Sequence, residues 1–90
     1  PALSEIMDEN NYPFFVEQIR EVAANTPGVL GTEKCFVRKM GMSFQVDLHM
    51  IVSGDISVRE GHDIAHLLKD RLQDRWPEIT DVHIHVEPEE

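Results

Sequence analysis

Cysteine is almost missing from this chain: Cys35 is the only one in 90 residues. A single thiol excludes an internal disulfide and suits a reducing compartment, and the absence of any CxxC removes the usual soft-metal and redox motifs. Positive charge is scarce as well. Eight Lys and Arg stand against 17 Asp and Glu, a formal net charge of -9, so no basic footprint for nucleic acid or anionic lipid is expected. No nucleic-acid partner is expected. No apolar run approaches the roughly 20 residues that cross a bilayer, and no signal peptide is expected. There is no glycine-rich phosphate loop, no HExxH and no serine in a nucleophile elbow, so an enzyme is not expected. The first residue is Pro1 rather than methionine, which points to a processed product or a fragment.

What is present suits one soluble globular domain, with 41% hydrophobic and 28% charged residues. A chain this short buries about two thirds of its surface and supports one modest core. "PALSEIMDENN" at the start is a polar lead-in. Pro13 fits the first turn of a helix, Phe15, Ile19, Val22 and Ala23 form an apolar stripe, and "NTPG" supplies a stop, predicting a helix over about 13–25. From Val29 the period becomes two. In "SFQVDLHMIV", Phe44, Val46, Leu48, Met50 and Val52 share one face, with Ser43, Gln45, Asp47, His49 and Ile51 on the other. "TEKCFVRKM" is a less regular strand in which either Cys35 or Phe36 can point inward, and Gly41 marks a hairpin turn between the two.

Ser57 with Glu60 three residues on is a capping box opening a second helix, which Pro77 ends. Its stripe is Val58, Ala65, Leu68, Leu72 and Trp76, with His62 at the edge and His66 further toward the polar side. A last strand covers Asp81 to Val86 or slightly beyond, stopped by Pro88. The order helix, strand, strand, helix, strand predicts an α+β fold, a two-layer αββαβ sandwich with both helices on one face of a three-stranded sheet. Val46, Leu48, Val82 and Ile84 would lie under the helices, leaving the other face uncovered.

That open face would carry Gln45, Asp47 and His49 from one strand and Asp81, His83, His85 and Glu87 from another. Imidazole and carboxylate are the donors that zinc and similar divalent ions use. His49 and His85 share the face and point to metal ligation. His83 reads equally as a solvated residue or a cross-strand partner, and His66 as solvated, although His62 and His66 have the i, i+4 spacing of helical zinc pairs.

With these elements placed, the chain resembles the cytoplasmic C-terminal domain of the cation diffusion facilitator family of divalent metal transporters. The likeness runs through "IREVAANTPGVLG", "VRKMGMSFQVDLHMIVSGDISVREGHDIAHLLKDRL" and the closing "VHIHVEP". It implies a ferredoxin-like, metallochaperone-like fold that forms a homodimer through the sheet side, on the cytoplasmic side of a membrane. The membrane domain of the same transporter is the further partner. Residues 1–11 would lead in from its last membrane helix, and residues 12–90 would form the dimerising, metal-binding domain. By position, His49, His62, His85 and Glu87 match the family's cytoplasmic metal ligands. Glu33 stands where some bacterial zinc transporters of the family carry a histidine and joins the implied set. The implied ion is a divalent transition metal, foremost Zn2+, with Fe2+, Mn2+, Co2+ and Ni2+ suited to the same donors. The expected role is regulatory, binding metal and dimerising to favour efflux. Two alternatives stand beside it: a stand-alone soluble metal carrier or buffer of the same fold, and a domain that dimerises without functional metal binding.

Overall fold

A computed structural model describes residues 12–90 of the chain. The lead-in segment expected over residues 1–11 lies outside the described residues. The elements are α1 (Pro13–Ala24), β1 (Gly31–Met40), β2 (Ser43–Val52), α2 (Val58–Arg75) and β3 (Ile79–Pro88), in the αββαβ order read from the pattern. β3 begins two residues before the expected Asp81. Ile79 explains the difference, since it is buried at the foot of the strand, paired to Phe44.

α1 starts without a side-chain cap, and Pro13 in its first turn makes one unnecessary for the donor it lacks. At its other end Thr26 Oγ1 donates to Val22 O (2.8 Å) and Asn25 Nδ2 to Glu21 O (2.9 Å), each a second bond to a carbonyl that also accepts from Asn25 N. Gly28 then turns the chain with φ +92°. A Cβ there would stand 2.6 Å from Ile64 Cδ1, so both backbone and packing require glycine. α2 opens on the capping box: Glu60 N donates to Ser57 Oγ (3.0 Å) and Ser57 N to Glu60 Oε1 (2.8 Å).

Among the described residues the sheet has the order β1-β2-β3, with β1 and β2 antiparallel and β2 and β3 parallel. A parallel pair needs a crossover, which α2 supplies. β2 therefore lies in the middle, and its alternation is the sharpest: Val46, Leu48, Met50 and Val52 are buried and the residues between them half-buried. Ile19, Val16 and Ala23 of α1 and Leu68 and Leu72 of α2 close on that face. At one end Phe44 meets Tyr12 and Phe15 edge-on, and Phe15 meets Trp76.

Two details differ from the helical stripes read in sequence. Val16, outside the expected stripe of α1, is buried, while Val58 is 92% exposed. The ladder ends at Val52↔Pro88, and the first residue of α2 overhangs that end with nothing above it to cover its side chain.

β1 also resolves which residue points inward. Between Thr32↔Met50 and Cys35↔Leu48 the register slips, so Glu33 and Lys34 together stand opposite the single residue His49. The extra residue restores the alternation beyond it. Cys35 and Val37 enter the core, and Phe36 lies on the open face opposite Asp47.

Candidate metal centre

The parallel ladder between β2 and β3 places Gln45 beside Asp81, Asp47 beside His83, and His49 beside His85. Side chains alternate along each strand, so these residues project from the uncovered face. The His49 and His85 rings stack, with centroids 4.4 Å apart and planes 14° from parallel. Glu87, two residues past His85, reaches across to His49, with Oε2 at 2.6 Å from Nδ1.

That contact fixes the chemistry of both groups. The hydrogen bond from His49 holds the Glu87 carboxyl below its ordinary value; partial burial opposes this, while the charge of His49, then Glu33, then the charge of His85 add to the lowering. An ionised carboxylate only accepts, so His49 Nδ1 carries the proton and donates it. In the neutral form of the ring this leaves Nε2 with a free lone pair, the arrangement in which a carboxylate orients an imidazole for a metal ion.

A second row lies alongside. His83 Nε2 stands 3.1 Å from Asp81 Oδ2, and its Nδ1 3.6 Å from Asp47 Oδ1. The sequence places His83 on this face and leaves it as either a solvated residue or a cross-strand partner. The register shows it seated between two carboxylates. Alternation already put Asp47, Asp81 and His83 on one face; the parallel register of β2 and β3 is what sets them side by side.

His62 is placed differently. It lies on α2, with its ring centroid 4.5 Å from that of His66 at a 63° inclination. It shares one shallow groove with Val86 and Pro88 and another with Val82 and Ile84, along the helix-facing side of β3. Gly61 beside it packs against Val86, where an added Cβ would stand 3.3 Å from Cγ1. The structure thus brings His49, His85 and Glu87 together, sets Glu33 on the bulge opposite His49, and leaves His62 across the edge strand from them.

Cys35 stands apart from all of these. Burial pushes its thiol up to about 11, and it faces the core at 4% exposure, so it stays protonated and offers no ligand to the open face.

Among the described residues no three His, Cys, Asp or Glu side chains are grouped as around one cation. His49 is paired with Glu87 and His83 with Asp81 instead. The donor set of imidazole nitrogen and carboxylate oxygen nevertheless fits a divalent transition metal, and the groups are exposed or half-buried.

Residues 12–89 match the family described as "Cation efflux protein, cytoplasmic domain". Metal tolerance protein 2 of Oryza sativa subsp. japonica is 29% identical over 85 residues, covering 94% of this chain and 22% of the relative. The manganese efflux system protein MneP of Bacillus subtilis is 23% identical over 88 residues, 98% of this chain and 30% of the relative. The chain thus spans less than a third of the length of either. A variant of the MamM C-terminal domain, solved in a manganese form, superposes with a TM-score of 0.79 at 22% identity, covering 87% of this chain and 100% of that one. The shared fold is ferredoxin-like.

Proposed function

Since the chain belongs to the cation diffusion facilitator family, as the cytoplasmic domain of its cation efflux proteins, we propose that it is a regulatory module that binds a divalent metal and pairs with a second copy to favour export. Its relatives are transporters rather than enzymes, and no helix among the described residues is long and apolar enough to cross a membrane. In this reading residues 1–11 connect it to a membrane domain, and the pair forms through the sheet side. His49, His85 and Glu87 hold the ion, foremost Zn2+, with Glu33 from the bulge. His62 completes the set from across β3, beside the two residues that flank Glu87.

The observation that carries the proposal is the row of His49, His85 and Glu87, with stacked rings and a carboxylate at 2.6 Å. Core packing does not account for it, because the row lies on the face that the helices leave bare. A bound ion would be held by these donors in place of their mutual hydrogen bond, with the imidazoles neutral and the carboxylate ionised.

Titration calorimetry with zinc on the wild type and on His85→Ala tests the set. Loss of a donor is expected to weaken binding by at least about tenfold. Equal affinity and stoichiometry would remove His85 from the site. Imidazole has an ordinary pKa of about 6.5, so binding should fall steeply toward pH 5.5 or so. A flat profile would exclude histidine ligation.

A further inference from the structure

The net charge of -9 conceals a local exception. From Lys34 to Val46 the chain carries Lys34, Arg38 and Lys39 and no carboxylate, three of its eight basic residues in the β1–β2 hairpin. The hairpin ends in a tight turn. Met40↔Ser43 is the last pair, Gly41 takes φ +65° at the first of the two loop positions, and Ser43 Oγ donates to Met40 O at 3.0 Å. The second loop position tolerates any polar residue, yet it holds Met42, which is 95% exposed, and Met40 beside it is 54% exposed. Arg38 and Lys39 stand immediately behind them on opposite faces of the ribbon, paired to Gln45 and Phe44 respectively. Neither methionine contributes to the core, and both stand beside cations.

The position of this tip in the molecule suggests its use. Phe44 at the base of the tip packs against Tyr12, the first described residue, so the tip lies at the same end of the fold as Tyr12. The tip reaches beyond β3, whose pairing with β2 starts at Phe44↔Ile79. We propose that the Met40–Gly41–Met42 turn is a lipid-docking surface: the methionines enter the headgroup region of an anionic bilayer while Arg38 and Lys39 pair with its phosphates and carboxylates. The idea rests on the reading that residues 1–11 lead from a membrane domain, because that connection holds the tip at the bilayer. The free chain, repelled through its overall negative charge, is expected not to bind such vesicles on its own; the tether supplies the local concentration.

The test couples Pro1→Cys chain to a maleimide lipid, with Cys35 protected by burial. The vesicles are phosphatidylcholine containing about one third phosphatidylserine, with a spin label on the headgroups. The chain has four methionines, and their methyl NMR signals report separately: Met7 near the tether shows that coupling succeeded, and fully buried Met50 shows that the fold is intact. Met40 and Met42 should broaden several-fold more in the wild type than in an Arg38→Glu/Lys39→Glu variant, and the excess should vanish without phosphatidylserine or in high salt. Broadening of Met40 and Met42 that ignores both charge reversal and lipid composition would overturn the proposal and leave the tip to a protein surface. The artificial tether separates this outcome from the family reading, because zinc titration of the same sample tests that reading independently.

Discussion

A hydrogen bond from His49 lowers the Glu87 carboxyl from its ordinary 4.5, so the folded state favours the ionised form more than the unfolded state does. The resulting stabilisation is present above the ordinary value and disappears as the pH falls through it to the lowered one. Urea midpoints recorded with chelator between about pH 6 and pH 3 should therefore fall more steeply for the wild type than for Glu87→Gln. Identical slopes would show that the contact is not made in solution. His49, His85 and Glu87 were legible beforehand because strict alternation assigns a face without any knowledge of neighbours. His83 was placed on the face by the same rule, but its seat between Asp47 and Asp81 was not fixed, since it depends on the register of two strands separated by a whole helix.

Elements were readable where a local rule decides them. The boundaries of β2 follow from an uninterrupted period of two, and the start of α2 from a capping box that satisfies its own donors. Replacing Ser57 with alanine should cost about 1 kcal/mol in chemical denaturation, with no change in zinc affinity. Gly28→Ala should lose more than about 1 kcal/mol, because it combines a left-handed backbone with the Ile64 contact; a neutral result would mean that α2 shifts freely against the loop. β1 was harder to read because its slip opposite His49 breaks the alternation at the very residues that decide whether Cys35 or Phe36 faces inward. Arg20 secures that slip from outside the strand, with Nη2 donating to Glu33 O at 2.8 Å and Nη1 to Thr32 Oγ1 at 3.3 Å. Such a tertiary brace leaves no mark in the local sequence of β1.

Two copies meeting through their open faces would bring Asp47, Asp81 and Glu87 toward the same groups of the partner, in chains that each carry -9. A metal-free pair should be splayed, and a bound cation should close it by cancelling the repulsion. If the closed pair binds metal about 100-fold more tightly, saturation shifts the balance by about 2.7 kcal/mol, enough to make a minor state dominant. Distances between spin labels on the two copies are expected to shorten and narrow when zinc saturates the protein. An unchanged distribution would leave static pairing, or none, in place of a switch. The two-layer architecture was legible from element order, since two amphipathic helices and an alternating sheet have few ways to hide their apolar faces.

Both outer strands of the sheet offer backbone groups that have no ladder partner among the described residues, and such borders recruit stray strands. β1 is defended by its irregularity and by Lys34, Arg38 and Lys39, and β3 by Asp81, His83, His85, Glu87 and Pro88. The side chains that would hold a cation are thus also what keeps β3 from seeding fibrils. Colloidal behaviour and metal load become one variable: a sample given excess zinc, or acidified until its carboxylates are neutral, should turn cloudy by edge-to-edge assembly while its core is still folded.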